Sequence, residues 1–171
     1  LESSDSETLY TVSEIVSNPG EDGNDLRTMV VRFAETLPSF LTATVSNGTP
    51  KYVAENVTYA PAVTIKNSTF KNVPTRGILC TTRQPVLIEG NTFLNMSMAT
   101  IFLSNDSNDW YESGPIRDMT IRNNTFYIKT IGDTYWDYKS AIYIHPVTYG
   151  NGLPSHENPI HKNITIEGNT F

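Results

Sequence analysis

Residues 104–118 read SNDSNDWYESGPIRD, and four of these fifteen residues are carboxylates: Asp106, Asp109, Glu112 and Asp118. Beside them stand two adjacent aromatics, Trp110 and Tyr111, followed by a Gly-Pro break. Carboxyl groups in this density suit the cleavage of an acetal. One carboxylic acid protonates the leaving oxygen, while a carboxylate activates water or attacks the sugar. Asp106, Asp109 and Glu112 are the candidates for those roles. Trp110 and Tyr111 offer ring faces for the C–H surfaces of a sugar, with polar tips for its hydroxyls. Upstream, Arg76 and Arg83 can donate to sugar hydroxyls or hold a carboxylate ionised. The plainer alternative is a hydrated acidic loop whose aromatics only pack on the surface, and composition alone favours it.

Other chemistries find less support. The formal net charge is −6 with no Lys/Arg cluster, which argues against a nucleic-acid partner. Cys80 is the only cysteine, so neither an intrachain disulfide nor a thiolate metal site is available. No apolar run reaches the roughly 18 residues of a membrane-spanning helix. His156 and His161 stand five apart in a Pro/Asn-rich loop, outside the helical spacing of zinc sites, and read as polar loop residues. His145 ends a strand-like stretch, where a groove could lie. The stretch NPGEDGND offers Glu21, Asp22, Asn24 and Asp25, but it lacks the glycine and distant glutamate of a calcium loop and reads as an acidic hairpin tip. No metal or cofactor is therefore expected. Seven N-x-S/T sequons, at Asn47, Asn56, Asn67, Asn95, Asn105, Asn123 and Asn163, nominally indicate glycosylation. Three of them, Asn67, Asn123 and Asn163, fall in or beside a repeat that calls for Asn and Thr on its own account.

That repeat must position the candidate residues. VTIKNSTF (63–70), VLIEGNTF (86–93), MTIRNNTF (119–126) and ITIEGNTF (164–171) align without gaps, at intervals of 23, 33 and 45 residues. RGILCTT (76–82), ATIFLSN (99–105) and SAIYIHP (140–146) form a second recurring stretch with the period-2 alternation of half-buried strands. A unit of 20–25 residues holding short strands is the mark of a solenoid, and this composition favours a parallel β-helix. Equivalent Ile and Phe side chains are expected to stack inside the tube, with Asn and Thr bonding between coils at the bends. The widening from 23 to 33 residues equals the ten residues from Asn105 to Gly114. The acidic tract is thus an insertion at a strand end, where solenoids build binding faces. KTIGDTYWDY and VTYGNGLPSHENPIH widen the third coil, which would bring Tyr135, Trp136, Tyr138 and His145 towards Trp110 and Tyr111.

Residues 1–55 lack the repeat and read as a small antiparallel β unit or β-barrel-like insertion, with strands over 9–17, 26–35 and 40–46. Residues 56–171 hold the β-helix coils. The chain opens without Met and closes at Phe171 inside a repeat. The expectation is a piece of a longer polypeptide, whose remainder packs on the last coil.

RGILCTTRQPVLIEGNTF (76–93) followed by ATIFLSNDSNDWYESGPIRDMTIRNNTF (99–126) resembles glycoside hydrolase family 110, and the likeness runs from about Pro38 to Phe171. The resemblance implies an all-β fold, a right-handed parallel β-helix carrying β-barrel-like insertions. It also implies an inverting α-galactosidase that needs no metal and acts on terminal α-1,3-linked galactose, including that of blood-group B glycans. It singles out Asp106 first and Glu112 second as catalytic carboxylates, with Asp109 third. Arg76, Arg83, Asn105, Trp110, Tyr111 and His145 become the substrate-binding candidates. Two departures stand out: Asn105 occupies the first place of an expected aspartate pair, and Val147-Thr148 follows Pro146 where an acid is expected. A secreted or periplasmic location and a glycan substrate follow from the same likeness. A non-catalytic, adhesin-like carbohydrate binder and a polysaccharide lyase are the alternatives that this fold class leaves open.

Overall fold

The computed structural model describes residues 8–21, 28–42, 54–105, 114–128, 140–147 and 159–171. They fall into two compact units, one within Ser6–Ala54 and the other within Glu55–Phe171.

In the smaller unit, β1 (Val12–Ser17) and β2 (Val30–Phe33) pair antiparallel, with Ile15 opposite Val31 and two register irregularities along the ribbon. Glu35 accepts a hydrogen bond from Thr11 N at 2.8 Å, tying the ribbon's open end. The strand expected over 40–46 does not begin as one. Ser39–Thr42 is a turn of 3-10 helix in which Leu41 N donates to Pro38 O at 3.1 Å. Proline's fixed φ initiates such a turn more readily than it enters a strand. Residues 43–50 lie outside the described residues.

The larger unit contains β3 (Val63–Lys66), β4 (Thr69–Lys71), β5 (Ile78–Cys80), β6 (Val86–Glu89), β7 (Thr92–Leu94), β8 (Ile101–Ser104), β9 (Met119–Arg122), β10 (Thr125–Tyr127), β11 (Ile142–His145) and β12 (Ile164–Glu167). They form three parallel sheets, ordered β12-β9-β6-β3, β10-β7-β4 and β11-β8-β5. The chain visits the sheets in turn, as a parallel β-helix does. Each of the first three eight-residue segments is two strands around a corner, not one strand, and the fourth is β12 followed by a single bridge from Thr170 to Thr125. In register, Val63, Val86, Met119 and Ile164 pair in succession, as do Phe70, Phe93 and Phe126 in their flanking sheet.

The corners explain the sequence. Asn67, Gly90, Asn123 and Gly168 take φ of 51°, 67°, 54° and 61°, a left-handed conformation that Gly and Asn adopt at least cost. Their alternation is steric: a Cβ on Gly90 would lie 2.6 Å from Asn67 Oδ1, and one on Gly168 would strike Asn123 Oδ1. One residue further on, Asn91, Asn124 and Asn169 point inward as a ladder. Asn124 Nδ2 donates to Asn169 Oδ1 at 3.0 Å and to Ile88 O at 3.0 Å. Asn124 Oδ1 accepts from Asn91 N at 2.9 Å and Asn91 Nδ2 at 3.0 Å. Both Asn91 and Asn124 are 1% exposed, so these bonds satisfy backbone groups that water cannot reach.

The core is continuous with this ladder. Ile88, Ile101, Leu103, Ile116, Met119 and Ile121 are fully buried. Phe70, Phe93, Phe126 and Phe171 stack at centroid distances of 5.0, 5.0 and 5.1 Å, each contact worth about 0.5–1.5 kcal/mol beyond area burial. On the outer side, Glu89 bridges Lys66 at 2.6 Å and Arg122 at 2.7 Å on the neighbouring coils. Hydrogen bonds from Lys66 and then Arg122 hold the Glu89 carboxyl below its ordinary range.

Truncating Asn124 to Ala strips partners from Asn91 and from Ile88 O inside the tube. Asn124→Ala should cost about 2–4 kcal/mol, at roughly 1–3 kcal/mol for each buried group left unpaired. Asn95→Gly, at an exposed left-handed corner, should stay within about 0.5 kcal/mol. Urea denaturation followed by circular dichroism measures both, and equal effects would remove the ladder from its structural role.

Candidate active site

Asp106, Asp109, Trp110, Tyr111 and Glu112 lie outside the described residues, as do Tyr135, Trp136, Tyr138 and His156. What the structure describes is the ground from which the 106–113 tract departs and to which it returns.

The departure point is the outer face of the β5–β8–β11 sheet. Ile78, Ile101 and Ile142 pair across it, as do Cys80, Leu103 and Ile144, and their alternation directs one face into the core for all of them but Ile144, which is 40% exposed. The opposite face carries Phe102, Tyr143, Ser104 and His145. Phe102 and Tyr143 stack at 5.5 Å, and His145 lies 5.8 Å from Phe102 and 5.5 Å from Tyr143. The Arg76 guanidinium stands 4.6 Å over the Phe102 ring, a cation–π contact of about 0.5–2 kcal/mol. Arg76 Nε and Ser104 Oγ are buried with no hydrogen-bond partner among the described residues. Buried polar atoms without partners are costly. The structure thus brings two of the sequence candidates, Arg76 and His145, to one aromatic face that ends where the acidic tract begins.

Asn105 is placed differently. Its Oδ1 accepts from Val147 N at 2.8 Å and its Nδ2 donates to Val147 O at 3.2 Å. The side chain extends the β8–β11 pairing by mimicking one more residue of strand. An aspartate could accept but not donate there, which gives the amide at this position a structural reason.

The return point is Gly114, at φ 108°. A Cβ there would strike Thr81 O and would lie 2.6 Å from Glu55 Oε1. Glu55 is ion-paired with Arg83, their side chains 15% and 19% exposed. Arg83 is therefore committed to a carboxylate that sequence reasoning missed. Glu55 precedes Arg83 by 28 residues within an irregular connector, and no local pattern links them.

A third cluster fastens the coil after the tract. His161 Nδ1 accepts from Ile116 N at 3.1 Å, so the neutral ring carries its proton on Nε2. Arg117 donates to Ile116 O at 3.2 Å and also to Ile160 O. His161, read from sequence as a polar loop residue, is instead a half-buried brace. Burial pushes its pKa below the ordinary 6.5; a backbone contact with His145 works the other way, and the charges of Arg117 and His145 add to the lowering.

The family described as "Right handed beta helix region" matches residues 44–171, and the chain belongs to it. The chain is 41% identical over 163 residues to an alpha-1,3-galactosidase A of Streptomyces avermitilis, covering 93% of this chain and 23% of that protein. It is 44% identical over 146 residues to an alpha-1,3-galactosidase A of Peterkaempfera griseoplana, covering 85% and 18%. With an alpha-1,3-galactosidase A of Bacteroides thetaiotaomicron the identity is 48% over 124 residues, covering 70% and 19%. The chain spans about a fifth of the length of these curated relatives.

Two predictions follow from the fastening of the tract. Because the folded pKa of His161 lies below the unfolded value near 6.5, the unfolded chain takes up that proton first. The neutral ring's contribution is whole above about pH 6.5 and is lost as pH falls through the folded pKa, with a slope of at most about 1.4 kcal/mol per pH unit. Denaturation midpoints between pH 7.5 and 5 should flatten in His161→Gln; an unchanged slope would show that another group titrates. Gly114→Ala should cost about 2 kcal/mol or more, since both φ and space exclude a side chain there. Thermal unfolding reads this directly.

Proposed function

We propose that this chain is the β-helix portion of a glycoside hydrolase that removes terminal α-linked galactose with inversion, using two carboxylates and acting outside the cytoplasm. The observation that carries the reading is the Arg76–Phe102–Tyr143–His145 face ending at the strand from which the acidic tract departs. The similarity to proteins named alpha-1,3-galactosidase over most of the chain supports the choice of sugar. A terminal galactose on a glycan suits an extracytoplasmic place of action.

In this mechanism one carboxylic acid protonates the glycosidic oxygen as the bond to the anomeric carbon breaks. The other carboxylate takes a proton from the water that attacks the opposite face of the ring. An α-linked galactose then leaves as the β-anomer. The two carboxyl groups need roughly 6.5–9.5 Å between them to admit the water. Asp106 is the first candidate and Glu112 the second, with Asp109 third. Arg76 and His145 supply polar atoms to the hydroxyls, and Tyr143 offers its ring to the C–H face, while Phe102, 3% exposed, supports them from beneath. Trp110 and Tyr111 extend that surface in this reading.

One observation favours a second reading, a carbohydrate-binding module without hydrolysis. The Asn105 amide is engaged by Val147 on both sides, so one place of the expected aspartate pair serves the scaffold.

The full-length protein, offered galactosyl-α-1,3-galactose and followed by proton NMR, should release β-galactose first. Asp106→Asn should lower kcat by roughly 10²–10⁴-fold while substrate binding persists. An α-anomer appearing first would overturn inversion, and an unchanged kcat would remove Asp106 from the chemistry. Binding without turnover across α-galactosides would establish the second reading instead.

A further inference from the structure

We infer that the corner where the 55–62 connector meets Thr81–Arg83 is a second carbohydrate subsite, taking a neutral hexopyranose next to the sugar that is cleaved; it rests on the glycosidase reading above. The corner forms an open depression of about 370 Å³, lined by Glu55, Asn56, Tyr59, Pro61, Thr81 and Thr82 among others. Tyr59 is 85% exposed, the most exposed large hydrophobic side chain among the described residues. Its position is built by the turn: Thr58 N donates to Asn56 Oδ1 at 3.0 Å, which fixes the backbone beneath the ring. A tyrosine that buries almost nothing contributes little to stability, yet it presents a flat face and a hydroxyl of the kind that sugars stack and bond on.

The depression's walls are tied together by hydrogen bonds. Thr82 Oγ1 donates to Pro61 O at 3.0 Å and accepts from Gln84 N at 3.2 Å, which ties the connector to the end of β5. Glu55 is held by Arg83 on one oxygen, while its other oxygen lies beside Gly114. Preorganised polar walls lower the entropy cost of binding. Charge selects the ligand class. The Arg83 guanidinium offsets the Glu55 carboxylate, so the corner attracts neither an acidic nor a basic sugar. A neutral ring can still bond its hydroxyls to the carboxylate and to the amide Nδ2 of Asn56.

Location ties the corner to the chemistry. Gly114, the first described residue after the 106–113 tract, packs against Thr81 O and Glu55 without room for a side chain. The depression therefore adjoins the point where the candidate catalytic tract rejoins the coil. A sugar there would be a neighbour of the one being cleaved, on the leaving-group side.

The test uses the full-length protein, with Tyr59→Ala compared to Tyr59→Phe and to Tyr127→Ala, whose 58% exposed ring lies on the β10 strand instead. The ratio of kcat/KM for a galactose-terminated neutral trisaccharide to that for an aryl α-galactoside should fall about tenfold in Tyr59→Ala. It should hold within about twofold in Tyr59→Phe and Tyr127→Ala, because the first keeps the ring face and the second lies elsewhere. An unchanged ratio in Tyr59→Ala, or an equal fall in Tyr127→Ala, overturns the subsite. If the wild type cleaves no α-galactoside, the glycosidase reading fails and titration calorimetry with the trisaccharide decides the subsite separately. A Kd about tenfold weaker in Tyr59→Ala alone supports it; no saturable binding, or equal values across the variants, overturns it.

Discussion

Everything in the larger unit depends on successive coils stacking in exact register, and the buried asparagine ladder is the interaction that enforces it. A parallel β-helix must turn a sharp corner in every coil while its backbone groups are shut away from water. Asn91 and Asn124 meet that need by bonding to the coil before and the coil after in the same gesture, and Asn169 by bonding to the coil before. The amide has the right length and both a donor and an acceptor, so a shifted coil would lose several buried bonds together. Phe stacking in the neighbouring strand adds to the same constraint, because a one-residue slip would turn every ring from the core to solvent.

Such a scaffold tolerates insertions at the ends of its strands without disturbing what stacks beneath. The tract between β8 and β9 uses that freedom. At one end Asn105 prolongs strand pairing, and at the other Gly114 slots into a space that admits no side chain. His161 and Arg117 then lock the returning segment to the following coil. The tract is thus fastened at both of its roots.

The same residue types serve structure and recognition, which is why residue type alone misleads here. Asn67, Asn95, Asn123 and Asn163 sit in glycosylation sequons, yet each occupies a left-handed corner. Arg76 and Arg83 were equivalent as sequence; in three dimensions one lies over an aromatic face and the other is committed to Glu55. Tyr59, unremarked in sequence, stands at the rim of the proposed subsite because its turn is fixed by Asn56.

The coil architecture was legible in the chain because a period is a local property: four copies of one eight-residue pattern announce stacking, and the apolar positions announce which face is buried. The location of the acidic insertion followed from counting alone. That the first three repeats are each two strands around a corner, and that the inward amide is the residue after the left-handed one, needed the backbone to be traced. Strand expectations failed at Phe40–Thr42 because Pro38 decides that turn through its fixed φ. The pairing of Glu55 with Arg83, the clip from Asn105 to Val147 and the burial of His161 were invisible beforehand. Each joins residues 28 to 45 positions apart. Such contacts arise from the closure of coils and loops in space, and only the tertiary structure decides them.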